Sequence, residues 1–136
     1  MIEKPFADTN ILIYLLENNQ EKAQRSKTII DTKPVISTQV MHEMVNVLLG
    51  KFQWTVEETD AAVQLFASQL PIVSNGLDAI RQALNMKNKY RFSWWDALIV
   101  AAALEAGCTT LWSEDMRHGL VVQDRMIIRN PFVAHV

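Results

Sequence analysis

The chain has 136 residues, enough for one domain with a substantial core. Its composition, 49% apolar and 21% charged, is that of an ordinary globular protein. With 13 Lys+Arg against 15 Asp+Glu the formal charge is -2, which excludes a global basic field for nucleic acid and leaves only a local patch to hold such a partner.

Lys4-Pro5-Phe6-Ala7 reads as a short strand with Pro5 near its start, where a missing N–H is tolerable. Asp8-Thr9-Asn10 suits a strand-to-helix turn into the apolar run Ile11 to Leu16. A charged Asp8 so early leaves no room for the apolar region of a signal peptide, and no run approaches membrane-spanning length, so a cytoplasmic location is expected. Glu21 to Ile30 reads as a more polar surface helix. Pro34 to Ser37 is a second strand, and Thr38 is expected to cap a helix from Gln39 to about Phe52. Its apolar stripe is Val40, Met41, Met44, Val45, Leu48 and Phe52, with Glu43 at the stripe's edge, half turned inward.

Thr55-Val56-Glu57-Glu58 forms a capping box for an amphipathic helix that runs to about Leu70. Leu70 to Val73 is a third strand candidate, and Gly76 precedes a helix from Leu77 to about Lys89. The stretch from Ser93 to Gly107 comes next and organises the rest. Ala97 to Leu104 is apolar without a polar face, which predicts a helix covered on all sides, with Ser93 as N-cap and Gly107 at the C-terminal stop.

Cys108 follows. As the only cysteine it allows no internal disulfide, fits a reducing compartment, and suits a small buried apolar position. Thr109 to Ser113 is a fourth strand ending at Glu114-Asp115, Gly119 to Asp124 reads as a loop, and Met126 to Arg129 is a last strand closed by Asn130-Pro131-Phe132. Short apolar strands alternating with helices indicate an α/β fold, a mainly parallel central sheet of four to five short strands with helices on both faces. There is no internal repeat, low-complexity segment or linker.

In parallel sheets ligands bind at the carboxyl ends of the strands. Asp8 ends strand one and Asp115 follows strand four; Glu43 lies about one turn into the helix after strand two, and Asp96 opens the central helix. Asp96 taken alone reads as a helix cap, since Ser-x-x-Asp before an apolar run is a common helix opening, and Glu43 alone as a flank residue. If the strands are parallel, however, all four acids fall on one rim, where mutual repulsion calls for protons or a cation. Oxygen-only ligands without a Cys or His cluster fit Mg²⁺ or Mn²⁺ better than zinc, and such a site suits hydrolysis of a phosphate ester. No Gly-rich phosphate loop or His pair competes, and His42, His118 and His135 are scattered.

These residues together resemble a known family. Asp8-Thr9-Asn10 after a short strand, a lone Glu43 in the third helix, Ser93-x-Trp95-Asp96-Ala97-Leu98-Ile99, Leu111-x-Ser113-Glu114-Asp115-Met116 and the closing Asn130-Pro131-Phe132 are similar to a PIN domain of the VapC toxin type. The resemblance covers residues 1–136 as a single PIN-like domain. It implies an endoribonuclease using Mg²⁺ or Mn²⁺, with Asp8 and Asp96 as the firmest metal ligands and Glu43 and Asp115 completing the site and orienting metal-bound water. It assigns Thr9, Asn10 and Ser113 to holding the carboxylates by hydrogen bonds. It further implies a VapB-like antitoxin partner and a homodimer. Pro5, where the family is more aliphatic, and the bulky Trp94-Trp95 pair depart from the pattern; Glu114 could contribute through water, but the family's matching acid is the one at Asp115.

For the RNA substrate, Lys87, Lys89 and Arg91 interleave with Tyr90 and Phe92 just before the central helix. The segment reads either as a single-strand contact or as a basic helix end with core aromatics; Arg117 is a second phosphate-contact candidate. Two other classes remain open on sequence. One is a non-catalytic RNA-binding or protein-interaction module on the same fold. The other is a phosphohydrolase with Asp8 as nucleophile, which would want an acid where the chain has Asn10.

Overall fold

The computed structural model describes residues 2–17 and 19–133; His135 lies outside them. The elements run β1 (Pro5–Ala7), α1 (Thr9–Leu16), α2 (Gln20–Ile30), β2 (Ile36–Ser37), α3 (Thr38–Leu49), α4 (Val56–Gln69), β3 (Ile72–Val73), α5 (Leu77–Tyr90), α6 (Trp94–Glu105), β4 (Thr110–Trp112), β5 (Val121–Val122) and β6 (Met126–Arg129). One sheet has the order β1-β4-β6-β5 and a second pairs β2 with β3; a parallel bridge between Phe6 and Val35 joins them. Among the described residues all strand pairings are parallel except β5 with β6.

β1 and β4 are short but largely buried on both sides. Phe6 and Ala7 are consecutive, so they point to opposite faces, and both are fully buried; Thr110 and Leu111 repeat the pattern in β4. Pro5 does not interrupt β1. It pairs with Thr110, and its carbonyl accepts the Val35 N–H at 2.9 Å.

α6 is the centre of the core. Every residue from Ala97 to Leu104 is buried, and each Leu, Ile or Val there contributes on the order of 1.5–3 kcal/mol of hydrophobic stabilisation. Ser93 Oγ accepts the Asp96 N–H at 3.1 Å. At the other end the Gly107 N–H donates to Leu104 and the Cys108 N–H to Ala103, both at 2.9 Å, a Schellman closure that Gly107 permits with φ +76. Cys108 packs into the core, and burial pushes its thiol up to about 11. A helix that turns back directly into β4 runs antiparallel to it. The N-terminus of α6, with Asp96, therefore lies on the same rim as the carboxyl end of β4.

Three boundaries differ from the sequence expectation. Ser37, not Thr38, caps α3: its Oγ accepts the Val40 N–H at 3.2 Å, and Thr38 is already helical. α3 stops at Leu49, because the chain turns at Gly50 and the N–H groups of Phe52 and Trp54 return to Val47 and Leu48. Residues 119–124 are not all loop. Val121–Val122 forms β5, and the turn into β6 places Gln123 and Asp124 at φ 55 and 54, with the Arg125 N–H bonded to the Val122 carbonyl. Residues 123–125 make a three-residue connection between the paired Val122 and Met126, and its two left-handed positions, which glycine or asparagine would usually signal, are hidden by Gln-Asp. Among the described residues the result is a central sheet of four strands, as expected, with β2 and β3 as a separate pair.

Candidate active site

The rim at the carboxyl ends of β1, β2 and β4 carries the acids. Because Ala7 pairs with Trp112, the next residues, Asp8 and Ser113, stand side by side. Asp8 is buried at the N-cap of α1: its Oδ1 accepts the Thr9 N–H at 2.7 Å and its Oδ2 accepts the Ser113 hydroxyl at 2.7 Å. The same Ser113 oxygen accepts the Asp115 N–H at 3.2 Å, and Asn10 Nδ2 donates to Asp115 Oδ2 at 3.1 Å. Thr9 Oγ1 donates to Glu43 Oε2 at 2.7 Å. Gln39, one turn before Glu43 on α3, donates to Glu43 Oε1 at 3.3 Å and to the Trp95 carbonyl at 2.9 Å, next to Asp96.

A continuous hydrogen-bonded arc thus runs from the start of α6 through α3 and α1 to the loop after β4. It takes in Asp8, Glu43 and Asp115 and ends at the Trp95 carbonyl, one residue from Asp96.

The electrostatics agree with this proximity. Burial pushes the Asp8 carboxyl up to about 7, the charges of Glu43 and Asp96 add to it, and the bonds from Ser113 and Thr9 oppose it. Burial also raises Asp96, the Ser93 hydroxyl opposes, and Asp115 and Glu43 raise it further. Thr55 and Glu58 exchange both bonds of a capping box; among the described residues Asp96 makes no such return bond to the Ser93 backbone N–H.

Glu114 belongs to a different group. Burial would raise its carboxyl, but Lys22 at 2.7 Å and the Tyr14 hydroxyl outweigh it, so it is lowered and stays ionised. Lys22 also lies over the Tyr14 and Phe132 rings, 4.5 and 5.3 Å from their centroids. Asn130 Nδ2 donates to the Glu114 carbonyl at 3.3 Å, so the closing Asn130-Pro131-Phe132 segment braces the loop that carries Asp115. Asn10 Oδ1 accepts the Glu114 N–H at 3.3 Å, which ties up both ends of the Asn10 amide.

Two grooves meet at Glu43. One, of about 530 Å³, follows α1 and α3 past Thr9, Asn10, Asn46, Lys51, Phe52 and Asp115. The other, of about 620 Å³, lies between α3, the loop after β3 and the start of α6, beside Gln39, His42, Asn75, Trp95 and Leu98. A third cleft of about 430 Å³, walled by Arg25, Ile29, Trp112 and Pro131, touches none of the four acids.

The basic segment is only half available. Phe92 is buried and Tyr90 is half-buried, its hydroxyl accepting the Gln123 N–H, so neither ring is free to stack. Lys87, Lys89, Arg91 and Arg117 are exposed; Arg117 bonds the Tyr90 carbonyl at 2.8 Å and Lys87 the Phe92 carbonyl at 3.3 Å. The aromatic face actually presented near the acids is Trp95, 62% exposed.

The donor set is all oxygen, which suits a hard divalent cation in kind. Among the described residues no three His, Cys, Asp or Glu side chains already stand at the spacing of one ion's ligands, so the acids form an open rim rather than a closed cage.

A family model for the PIN domain matches residues 6–122. The chain belongs to the PIN-domain family. Its fold is shared with a chain of a toxin-antitoxin complex from Klebsiella pneumoniae at TM-score 0.72 and 18% identity, covering 96% of this chain and 98% of that one. DNA-bound VapBC from Salmonella typhimurium matches at TM-score 0.70 and 17% identity, over 96% and 99% of the two chains. VapC20 of Mycobacterium tuberculosis, a sarcin-ricin-loop-cleaving toxin, matches at TM-score 0.65 and 18% identity, over 79% and 87%. No curated protein sequence matches. The fold is a PIN fold, mainly parallel and with six helices among the described residues. Among the described residues no helix of this PIN domain is long and apolar enough to cross a membrane.

Proposed function

We propose that this PIN domain is a metal-dependent endoribonuclease, the toxin of a toxin-antitoxin pair, using Mg²⁺ or Mn²⁺. The observation that carries the reading is Asp8: a buried carboxylate pushed up to about 7 with Glu43 and Asp96 close enough to raise it further. A fold that gathers acids against their own repulsion is arranged for a cation. Asp8 and Asp96 would hold it, with Glu43 and Asp115 completing the site. When bound, such an ion supplies Lewis acidity, offsetting charge that builds on a phosphodiester and making water a better nucleophile.

The chain's own residues do the positioning. Ser113 and the Thr9 N–H fix both oxygens of Asp8, Thr9 Oγ1 and Gln39 aim Glu43, and Asn10 restrains Asp115. Arg117 and the lysines near α5 are assigned to RNA phosphates. A VapB-like antitoxin is part of the proposal, supported by the toxin-antitoxin complexes that share the fold, and so is a homodimer.

The deciding experiment expresses the wild type, Asp8→Asn and Asp96→Asn and sequences RNA ends. The wild type creates new ends at defined positions and both variants create none while keeping a native circular-dichroism spectrum; unchanged cleavage by both variants rejects the reading.

A further inference from the structure

The groove between α3 and α6 differs from the rest of the rim. It shares Glu43 with the acids, yet neither Lys nor Arg lines it, so nothing in it is suited to hold a phosphate. Its lining is instead amide and aromatic: Gln39, Asn46 and Asn75, with His42, beside the Trp95 ring, which is 62% exposed. A large ring left in water next to a reactive site is unexpected when Trp94, its neighbour in sequence, packs against the core. Gln39 and Asn75 also each keep a buried amide oxygen that meets no donor.

We propose that this groove binds one unpaired nucleobase of the RNA, stacked on Trp95, with the side-chain amides of Asn46 and Asn75 lining the space around its hydrogen-bonding edge. The chemistry matches: a base is uncharged, flat and carries both donors and acceptors on its edge, and single-stranded RNA is commonly held by stacking on aromatic side chains. The volume, about 620 Å³, lies within the usual range of ligand pockets. Gln39 links this groove to the chemistry. It bonds both Glu43 and the Trp95 carbonyl, so the base on Trp95 is tied to the acid rim through a single side chain. A strand crossing the acids then has its base read on one side and leaves along the Lys51 groove on the other. Placement beside the scissile phosphate rests on the ribonuclease reading above; the base site itself does not.

The test titrates short single-stranded homopolymers of A, C, G and U into the Asp8→Asn protein, with and without Trp95→Ala or Trp95→Phe. Because Trp95 is largely exposed, its truncation should leave the thermal midpoint unchanged. Expected are loss of about ten-fold or more in affinity with Trp95→Ala, near-complete retention with Trp95→Phe, and a quench of tryptophan fluorescence on binding that Trp95→Phe abolishes. In the cleaving chain, Trp95→Ala should relax the base preference at the cut and raise KM more than it lowers kcat. Equal RNA affinity for all three proteins overturns the proposal, as does cleavage by Trp95→Ala of the same bonds with the same kcat/KM. A loss confined to a co-purifying protein partner, with RNA binding intact, also overturns it, assigning the groove to that partner. If the wild type cuts no RNA yet shows Trp95-dependent binding, the ribonuclease reading fails and the base site stands.

Discussion

Replacing Asp8 by Asn should remove activity and make the metal-free protein more stable. Asp8 has an ordinary value of 3.8 and is pushed up to about 7 in the fold. That is about three units, and at about 1.4 kcal/mol each the ionised side chain costs the metal-free fold on the order of 4 kcal/mol at pH 8. The sign follows from proton binding. Between 3.8 and about 7 the folded state holds a proton that the unfolded state has released, so stability falls as pH rises through this window and is flat on either side. Asn carries no charge and escapes the penalty. It can still accept the Thr9 N–H, but its amide would face the Ser113 hydroxyl, which now donates to Asp8, and that mismatch offsets about 1–3 kcal/mol. The net gain at pH 8 is about 1–3 kcal/mol, or roughly 3–10 °C in thermal midpoint. Thermal melts in chelator at pH 8 and pH 5 check it. The variant's advantage should shrink by about 2–3 kcal/mol at pH 5, and an advantage that is absent at pH 8, or the same at both pH values, refutes the reasoning.

Ser113→Ala removes a bond that lowers Asp8 and an acceptor for the Asp115 N–H, so cleavage should fall about 5- to 100-fold and its rise with pH should move to higher pH; a pH–rate profile reads both. Lys22→Met leaves Glu114 with only Tyr14, and the thermal midpoint should drop by a few degrees, about 1 kcal/mol at most after solvent screening. Because Glu114 is lowered in the fold, that stability is present above its ordinary value of 4.5 and is lost as pH falls through the folded one, so the two proteins should converge in acid. Lys27→Met, which breaks the far more exposed pair with Asp31, should leave the midpoint within error.

Where residue chemistry acts locally, the sequence is a sufficient guide. The apolar run Ala97 to Leu104 admits only a covered helix, and Ser93 and Gly107 mark its ends because capping is decided within a few residues. The four acids could be assigned to one rim because parallel strands bring their carboxyl ends together. Gln39 was missed, although its spacing of four residues before Glu43 on one helix face was a usable signal. Glu114 could not be placed, since its partner Lys22 arrives from α2 and a salt bridge across that separation leaves no local pattern. The β5–β6 hairpin was hidden because Gln123 and Asp124 take up left-handed angles that glycine or asparagine would have announced. Tyr90 and Phe92 were equally compatible with stacking or packing from spacing alone, and the turn at Arg91, with φ 62, sets Phe92 inward.

A calorimetric titration of Mn²⁺ into the wild type, Asp8→Asn and Asp96→Asn at pH 8 tests the shared acidic site most directly. The account predicts binding by the wild type at millimolar concentration or below, weakened roughly ten-fold or more in each variant, although Asp8 and Asp96 lie on different helices. Absence of binding by the wild type at millimolar Mn²⁺, or an affinity that neither substitution changes, would contradict it.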